Sequence, residues 1–493
     1  MIYNFNLGIG WASSGVEYAQ IYRARMFRNI GVDAKFVFTD MFPQENMEHM
    51  TKNIGFLDSE VIWLYTFFTD FKTAPVTYTL SDLEKTFSNM EYTKSREGKI
   101  CRYVFGGSNN FYTAYMVNDH DDFVHRVEMV SNGCLIRKDY FTYGRVYSEY
   151  YAPLDNAAHL YHRRFFNENG SVAYEEIIDD DRVMYKFKDK ILCSKEEFVG
   201  YMVSQLHLTK DDVVLIDRST DIGQSILMNC KPARVGTVVH ADHFSEKDTN
   251  DDYILWNNFY EYEFNMHKHI DFYICSTQAQ SDLMVQQFEK YYGVTPCVYT
   301  IPVGSLPELK YPSSTRKPYS LITASRLASE KHVDWICKAV IQARTEVPEL
   351  SLDIYGEGGE KSKLETIIRE NNASSYIHLM GQHDLSEVYQ NYEAYIAGST
   401  SEGFGLTLME AVGGGLPIVG FDVRYGNPTF IRNGENGYLI PLPEEDKDRI
   451  EALRKGIVDL FKQDLEHCHS VSYLVAKDFL TSSVQEKWRE AVC

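Results

Sequence analysis

Hydrophobic and polar positions alternate in two different ways along the chain, and the first way begins at residue 2. Residues 2–7 form an apolar run typical of a buried strand, and a glycine-rich turn follows at residues 8–15. Apolar side chains then recur at helical spacing until Gly31, and residues 34–39 supply a second apolar run. This order predicts a βαβ unit with a glycine-rich first turn.

The same alternation of buried strands and amphipathic helices returns twice further along the chain. It predicts strands at 213–216, 235–239 and 272–276 with a helix at 278–292, and then strands at 321–324, 352–355, 376–379, 394–397 and 417–420 with helices near 333–346, 361–371, 384–391 and 405–413. We therefore predict a Rossmann-like domain from residues 1–65 and 200–304, and a second one at 319–470. A proline-containing linker at 305–318 joins them, and a C-terminal helix within 471–493, at about 471–491, packs back towards the first domain.

The second kind of pattern occupies the interruption, residues 66–199. From residue 99 to residue 187, short runs rich in Tyr, Phe and Val alternate with turn clusters such as Asn167-Glu-Asn-Gly170. Such spacing predicts an antiparallel β-meander inserted into the first domain. The insertion is either a decorative sheet or a docking surface for a protein partner or acceptor, because tyrosines are enriched at interfaces.

Composition and charge exclude several classes of protein. The chain has 493 residues, 44% of them hydrophobic, and a formal net charge of −21, which disfavours nucleic acid as a main partner. Its 9 cysteines are scattered without a C-x-x-C pair, as expected in a reducing compartment. With no secretion signal or long apolar segment in the sequence, we expect a cytoplasmic protein and leave peripheral attachment to the cytoplasmic face of the membrane open.

The segment Gly398-Ser-Thr-Ser-Glu402-Gly-Phe-Gly-Leu-Thr-Leu-Met-Glu410 carries the most chemical information. It follows a predicted strand and opens a helix, so free backbone N–H groups and the positive helix end can meet an anion such as a diphosphate. Glu402 precedes the helix, and Glu410 lies about two turns along it. Two carboxylates at this spacing would otherwise indicate only a solvated helix face.

Three further elements are predicted at the same edge of the sheet. Arg326 and Lys331 follow strand 321–324, where open α/β sheets bind ligands, and both can neutralise phosphates. Alternatively, they are ordinary surface cations. A glycine turn at 355–359 and the loop Gly381-Gln-His-Asp-Leu385 follow the next two strands, and the loop backbone could pair with a planar base.

As a set, these elements resemble the retaining, nucleotide-sugar-dependent glycosyltransferases of the GT-B fold, in the glycogen-synthase-like family 4 group. The family pattern R-x4-K, G-x-G and E-x7-E is met by Arg326 with Lys331, Gly356 with Gly358, and Glu402 with Glu410. The resemblance implies an α/β fold of two Rossmann-like domains facing a cleft. It also implies catalytic residues (Arg326, Lys331, Glu402 and His240), UDP-binding residues (Gly15, Val16, Glu17, Tyr18, Gln382, His383 and Glu410) and sugar-binding residues (His240, Glu402, Gly403, Phe404, Gly405 and Leu406).

The stretch from Ile9 to Tyr18, the β insertion and Tyr253-Ile-Leu-Trp-Asn-Asn258 are similar to one branch, the accessory-Sec glycosyltransferases of Gram-positive bacteria. This resemblance implies transfer of N-acetylglucosamine from UDP-N-acetylglucosamine to Ser and Thr of serine-rich repeat adhesins. It further implies a second, catalytically inert subunit docked on the insertion. Neither a cofactor nor a metal ion is expected.

The sequence leaves two alternative functions open and disfavours a third. A nucleotide-sugar isomerase, such as a UDP-sugar 2-epimerase, shares the two-domain fold, and a non-enzymatic adaptor could bind glycopeptide with it. A dinucleotide oxidoreductase is disfavoured because Gly8, Gly10 and Gly15 miss the G-x-G-x-x-G spacing. The acidic turn 179–181 is expected to be solvated, and His467-Cys-His469 is expected at the surface.

Overall fold

The computed structural model describes residues 1–9, 15–43, 45–88, 90–107 and 109–493. The chain forms two compact units. Unit 1 comprises Met1–Thr237 and Trp256–Asp271, and unit 2 comprises Val238–Leu255 and Phe272–Cys493. Among the described residues, no helix combines the length and the apolar character needed to cross a bilayer.

The first half of unit 1 begins as the predicted βαβ unit. Its elements are β1 (Ile2–Asn6), α1 (Gly15–Ile30), β2 (Ala34–Phe38), α2 (Met47–Ile54), β3 (Val61–Trp63), α3 (Leu64–Phe67) and α4 (Leu80–Lys85), with a 3-10 helix at Asp58–Glu60. Strand β1 pairs in parallel with β2, and β2 pairs in parallel with β3. The apolar runs of the sequence thus form the centre of a parallel sheet, as predicted.

A ten-stranded antiparallel sheet follows. Its strands are β4 (Thr93–Glu97), β5 (Ile100–Val104), β6 (Phe111–Met116), β7 (Val124–Ser131), β8 (Cys134–Phe141), β9 (Arg145–Leu154), β10 (Ala157–Phe166), β11 (Val172–Asp179), β12 (Arg182–Lys186) and β13 (Ile191–Leu192). Each strand pairs with the next one along the chain, so the sheet is the predicted meander. Strand β4 was not predicted, because all five of its side chains are exposed and show no apolar alternation.

One face of this sheet buries ion pairs as well as aromatic rings. Arg163 on β10 bridges Glu149 on β9 (Nε to Oε1, 2.9 Å) and Glu176 on β11 (Nη1 to Oε2, 2.8 Å), and each carboxylate side chain is only 2% exposed. Beside them, Tyr140 and Tyr147 stack at 4.3 Å between ring centroids. The tyrosine-rich composition of the insertion therefore serves its own core as well as its surface.

The chain then returns to the α/β part of unit 1. Its elements here are α5 (Lys195–Gln205), β14 (Val213–Ile216), α6 (Gly223–Asn229), most of β15 (Arg234–Val239), and α7 (Glu261–Asn265) with a 3-10 helix at His267–His269. Of the two short strands before α7, β16 (Phe244–Ser245) belongs to unit 2 and β17 (Leu255–Trp256) spans the boundary. Strand β14 pairs in parallel with β1 and with β15. The fully buried Arg23 of α1 makes a two-pronged ion pair with Asp217, directly after β14, which fixes the helix against the sheet.

Unit 2 contains the second α/β pattern and also residues 272–300, which the sequence pattern assigned to the first domain. Its elements are β18 (Phe272–Cys275), α8 (Gln278–Tyr292), β19 (Val298–Thr300), β20 (Ser320–Ala324), α9 (Val333–Ala343), β21 (Ser351–Tyr355), α10 (Lys361–Glu370), β22 (Ile377–Gly381), β23 (Ala394–Ile396), α11 (Leu406–Gly413), β24 (Ile418–Phe421), α12 (Gly426–Phe430), β25 (Gly437–Ile440), α13 (Asp446–Leu460), α14 (Leu465–Ala476) and α15 (Thr481–Val492), with 3-10 helices at Ser329–Lys331, Tyr389–Asn391 and Lys477–Phe479. Six strands form a parallel sheet in the order β22-β21-β20-β23-β24-β25. Every residue of β20 and β24 is buried, as expected for a sheet covered by helices on both faces.

Two helix predictions are wrong. Residues 384–391 form turns and the 3-10 helix Tyr389–Asn391, because the Asp384 carboxylate accepts a hydrogen bond from the Ser386 backbone and favours a tight turn. The predicted helix 471–491 is divided between α14 and α15. Leu480 is extended at the break, where backbone groups of Phe479 and Thr481 pair with Leu306. These long-range hydrogen bonds override the local helical pattern.

Two expectations for short segments also change. His467-Cys-His469 was expected at the surface, but Cys468 and His469 are buried on α14, where the His469 ring bonds the Glu393 carbonyl oxygen. Residues 305–318, predicted as a linker, are fixed within unit 2 because the buried Arg316 guanidinium donates to three backbone carbonyl groups. A single-sequence pattern does not reveal such contacts.

Candidate active site

The glycine-rich loop lies at the carboxyl end of β23 and leads into α11. Gly405 precedes the helix with φ +89°, in the left-handed region that favours glycine, and a Cβ atom there would lie 2.6 Å from Leu408 Cδ1. The first N–H groups of α11 have no carbonyl group one turn earlier to accept from them. An anion above this loop would meet these N–H groups and the positive end of the helix.

Glu402 is held by its backbone in this loop. Its N–H donates to the Arg424 carbonyl oxygen at 3.1 Å, and its own carbonyl oxygen accepts from the N–H groups of Tyr425 and Gly426 at 2.6 and 2.7 Å. A Cβ atom at Gly426 would lie 2.2 Å from the Phe404 carbonyl oxygen, so only glycine fits there. The 424–426 segment therefore fixes where the Glu402 side chain begins.

Lys331 and Glu402 form an ion pair across the ends of two strands. Lys331 ends the 3-10 helix after β20, and its Nζ lies 2.6 Å from Glu402 Oε2. The two side chains are only 18% and 21% exposed, so solvent screens this pair less than an exposed one. The structure thus joins a predicted phosphate-binding cation with a predicted sugar-binding carboxylate.

Arg326 lies apart from this pair. Its side chain is 81% exposed, and its nearest ion-pair partner is Glu330, 3.4 Å away on the same loop. An exposed pair at this distance holds the guanidinium weakly. Arg326 is therefore free to turn towards a ligand at the carboxyl end of β20.

Glu410 lies on α11 beside an open cavity of about 200 Å³. The buried Tyr389 hydroxyl donates to Glu410 Oε2 at 3.0 Å. The residue is accessible from the cavity, but partial burial of its carboxyl group raises its pKa, against the hydrogen bond from Tyr389, and Asp384 raises it further. One carboxylate oxygen is thus fixed by Tyr389, and the other can accept hydrogen bonds from a ligand.

The loops after β21 and β22 border this part of the sheet. Gly356 has φ +129°, and a Cβ atom there would lie 1.9 Å from the Ser325 carbonyl oxygen, so the glycine lets two strand-end loops approach closely. Gln382 and His383 are exposed after β22, and the His383 ring bonds the Met380 carbonyl oxygen at 2.8 Å. Their exposure leaves the predicted base-binding loop open.

The predicted sugar-binding residues group around the same loop in unit 2. His240 follows β15, and a Cβ atom built at Gly403 would lie 3.9 Å from the His240 carbonyl oxygen. Phe404 is buried against Phe430, with ring centroids 5.3 Å apart, whereas Leu406 is 47% exposed at the start of α11. Phe404 thus anchors the loop, and its backbone is the part left for a ligand.

The remaining predicted residues lie in unit 1, at the start of α1. Gly15 is the first residue of this helix, Val16 and Glu17 are buried, and Tyr18 is 58% exposed. Glu17 Oε1 lies 3.6 Å from Arg218 Nη1. Residues 10–14 of the predicted glycine-rich turn, which precede this helix, lie outside the described residues.

Sequence reasoning missed the residues that orient the predicted ones. Neither Tyr389, which holds Glu410, nor the 424–426 segment, which holds Glu402, belongs to a motif that we recognised. A glycine at position 426 was the signal in the sequence that could have indicated the close approach of this segment to the backbone at Phe404. In the part of the chain that the structure describes, no three His, Cys, Asp or Glu side chains are arranged to hold a metal ion.

Comparisons with known proteins give consistent results. Residues 93–189 match the family described as GtfA extended beta-sheet domain, and residues 310–473 match glycosyl transferases group 1. A relative from Streptococcus agalactiae, named UDP-N-acetylglucosamine--peptide N-acetylglucosaminyltransferase GtfA subunit, is 52% identical over 99% of this chain and 97% of its own length.

Two solved structures are similar over the whole chain. A crystal structure of a GtfA/B complex contains a chain with 52% identity and a TM-score of 0.95, covering 100% of this chain and 99% of that one. A structure of the pneumococcal O-GlcNAc transferase GtfA in complex with UDP and GlcNAc has 50% identity and a TM-score of 0.84, covering 100% and 98%.

Proposed function

Because the chain belongs to the family of UDP-N-acetylglucosamine--peptide N-acetylglucosaminyltransferase GtfA subunits, we propose that it transfers N-acetylglucosamine from UDP-N-acetylglucosamine to hydroxyl groups of a polypeptide. Its fold is GT-B, with an antiparallel sheet domain in the N-terminal half. The fold class predicted from the sequence is confirmed. The roles of individual residues, argued below, are part of the proposal.

The observation that carries the proposal is the Lys331–Glu402 ion pair beneath the glycine loop, with Glu410 further along α11. The cation and the free backbone N–H groups suit a diphosphate, the Glu402 carboxylate suits a sugar, and the Glu410 carboxylate suits a ribose. In the absence of donor, Glu402 neutralises Lys331. When the diphosphate binds, Lys331 can pair with it and release Glu402 to accept hydrogen bonds from the sugar hydroxyl groups.

Arg326, Lys331 and the N–H groups at 404–406 stabilise the leaving group in this scheme. Negative charge develops on the diphosphate as its bond to the sugar breaks, and donors already fixed in place stabilise that charge without reorganising. These groups supply the positive potential, so the scheme includes no metal ion and no cofactor.

The nucleoside part of the donor is assigned to the Glu410 cavity. A ribose diol donates two hydrogen bonds, and the Glu410 carboxylate, oriented by Tyr389, can accept them. The exposed loop at Gln382 and His383 offers its backbone to the uracil edge. At the start of α1, Gly15, Val16, Glu17 and Tyr18 are assigned to the UDP phosphates by family resemblance.

Transfer with retention follows most simply if the acceptor attacks the same face of the sugar from which UDP departs. The acceptor hydroxyl oxygen bonds to the anomeric carbon as the bond to UDP breaks, and the hydroxyl proton passes to a phosphate oxygen of the departing UDP. Glu402 and His240 then orient the sugar, and no covalent sugar–enzyme bond forms.

The chain works with a second subunit, as the GtfA/B complex of its relative indicates. We propose that this partner is catalytically inert and docks on the antiparallel sheet. The acceptor is then a serine-rich repeat adhesin with many closely spaced hydroxyl groups, handled in the cytoplasm or at the cytoplasmic face of the membrane. An extended sheet, separate in sequence from every donor motif, suits the task of holding partner and acceptor.

A single experiment separates this function from its alternatives. The purified chain, with and without its partner subunit, is incubated with UDP-N-acetylglucosamine or UDP-glucose and a Ser/Thr-rich polypeptide, and the polypeptide is weighed by mass spectrometry. We expect its mass to rise in steps of one N-acetylhexosamine. An unchanged polypeptide with an altered UDP-sugar would support an isomerase, and glycopeptide binding without any reaction would support an adaptor.

A further inference from the structure

A second cavity, of about 360 Å³, opens on the antiparallel sheet within unit 1. It lies where α4 and the residues after it cover part of strands β6–β9, and we call it the sheet cavity. Its walls include the aromatic rings of Tyr78, Phe87, Tyr112 and Phe141. Its volume is within the range of about 300–1,000 Å³ that small-molecule sites occupy. None of the donor motifs contributes to it.

The floor of the sheet cavity is polar. Asp139 is 3% exposed and accepts from Arg137 Nη2 at 3.0 Å and from the Ser148 hydroxyl at 2.5 Å, while Arg145 Nη1 lies 3.9 Å away. Arg137 Nε is buried and has no hydrogen-bond partner. A buried donor without a partner is costly, so a shift of the Arg137 side chain that turns Nε towards a ligand in the cavity would relieve that cost.

The charges around the cavity balance. Arg137 and Arg145 are matched by Asp139 and by Glu168 at the rim, so the formal charge of these four side chains is zero. A phosphate or an acidic peptide would therefore gain no net attraction. A neutral ligand with several hydroxyl groups can instead accept from the guanidinium groups and donate to the carboxylates.

Aromatic walls and a balanced polar floor together suit a carbohydrate. The C–H faces of a sugar ring are apolar and pack against aromatic rings, while its hydroxyl groups both donate and accept hydrogen bonds. An acetamido group adds one donor, one acceptor and a methyl group for the apolar wall. Tyr78 lines the same cavity as Asp139 and Arg145, so its phenol can form a hydrogen bond with such a group.

We propose that the sheet cavity binds N-acetylglucosamine residues that are already attached to the polypeptide acceptor. This inference rests on the proposed function, whose product carries such residues. Sugars added early to a repetitive acceptor then hold it on the sheet, while unmodified hydroxyl groups elsewhere in the acceptor react. The cavity makes affinity for the acceptor rise as modification proceeds.

Binding of a defined glycopeptide tests the proposal. The probes are a Ser/Thr-rich peptide that carries one O-linked N-acetylglucosamine and the same peptide without sugar, titrated calorimetrically into the full-length protein. Tyr78→Phe removes one hydroxyl group, and Arg145→Gln removes one guanidinium group from the cavity. Their matched controls are Tyr161→Phe, an exposed tyrosine of β10, and Arg102→Gln, an exposed arginine of β5 that stacks on Phe111.

We expect the glycopeptide to bind at least about tenfold more tightly than the bare peptide. Arg145→Gln should weaken glycopeptide binding by about tenfold and Tyr78→Phe by about threefold, because each removes hydrogen bonds to the sugar. Both controls should stay within about twofold of wild type. If Arg145→Gln fails to fold, Tyr78→Phe decides the outcome.

Equal affinity for the two peptides, or equal glycopeptide affinity in all four variants, would overturn the proposal. Competition by inorganic phosphate would also overturn it, in favour of an anion site. Transfer to the bare peptide by wild-type protein is measured in parallel. Sugar-dependent binding without transfer would contradict the proposed function alone, whereas transfer without sugar-dependent binding would contradict this inference alone.

Discussion

The parallel sheet of unit 2 and the antiparallel sheet of unit 1 distribute polar side chains in opposite ways. Strands β20 and β24 are buried at every position, and the polar site residues lie in the loops beyond the strand ends. The antiparallel strands instead carry charges within the sheet, as in the Glu149–Arg163–Glu176 row. A sheet covered on both faces can place its chemistry only at an edge, whereas a half-open sheet can place it on a face.

The difference predicts separate consequences for mutations. A change within the antiparallel sheet should alter stability or acceptor binding, because its polar groups are part of the packing. A change at the edge of the parallel sheet should alter donor binding and turnover, because its polar groups lie outside the core. Four experiments test this separation, beginning with the largest expected effect.

Arg163→Met should destabilise the protein by about 3–5 kcal/mol, because it leaves two buried carboxylates without their cation. Arg164→Met is the matched control. This neighbour on β10 pairs with Glu175, but its side chain is 43% exposed, so the change should cost less than about 1 kcal/mol. Chemical unfolding followed by circular dichroism measures both. Similar losses for the two variants would mean that burial does not distinguish the two faces of the sheet.

Lys331→Ala should reduce sugar transfer about 100-fold, because it removes a charge-assisted contact to the leaving diphosphate, worth about 1.5–3 kcal/mol. The unfolding midpoint should change little. Lys338→Ala, a more exposed lysine on α9, is the control and should keep wild-type kinetics. Steady-state kinetics with UDP-N-acetylglucosamine measures the effect. Unchanged turnover and UDP affinity in Lys331→Ala would show that Lys331 does not contact the diphosphate.

Substitutions of Glu402 and Glu410 should affect donor binding and sugar transfer differently. Glu410→Gln should weaken UDP binding about tenfold, because a neutral amide accepts more weakly from the ribose diol. Glu402→Gln should not weaken UDP binding, because it removes the carboxylate that competes with the diphosphate for Lys331, and it should lower turnover, because it weakens the contact to the sugar hydroxyl groups. Calorimetry with UDP and transfer assays distinguish the two, and equal UDP losses would contradict the proposed division of roles. His240→Ala should behave like Glu402→Gln.

His125 on β7 should make the antiparallel sheet sensitive to acid. Burial lowers its pKa from 6.5 to about 4, assisted by Arg126 and Lys99 and by His49 near α2, and opposed by Glu45. As the pH falls below 6.5, the unfolded chain takes up a proton that the folded chain does not. The free energy of unfolding should therefore decrease by about 1 kcal/mol over the first pH unit below 6.5.

His125→Asn removes this titration, so its unfolding free energy should lose that part of the pH dependence. His120→Asn, an exposed histidine in the preceding turn, is the control and should keep the wild-type profile. Denaturant unfolding at a series of pH values measures both variants. A wild-type profile in His125→Asn would show that the titration arises elsewhere.

Much of the fold could be predicted because the signals are local. Strand β14 and helix α8 have the predicted bounds, since a continuous apolar run or a capped periodic segment needs no distant partner to be recognised. Strand β4 could not be found in this way, because its pairing with β5 leaves all its side chains exposed. The C-terminal helix was predicted as one element because its break is made by hydrogen bonds to Leu306, far away in sequence.

The sequence by itself determined most of the order of strands and helices, the meander of the insertion and the motifs that carry Glu402, Glu410, Arg326 and Lys331. Tertiary structure alone decided that Lys331 pairs with Glu402, while Arg326 stays in solvent. It also decided that Tyr389 orients Glu410 and that four aromatic rings enclose a cavity above Asp139. The physical reason for this division is the distance along the chain over which each kind of interaction acts. Periodicity and capping act over a few residues, whereas ion pairs and cavities depend on where distant segments are brought together.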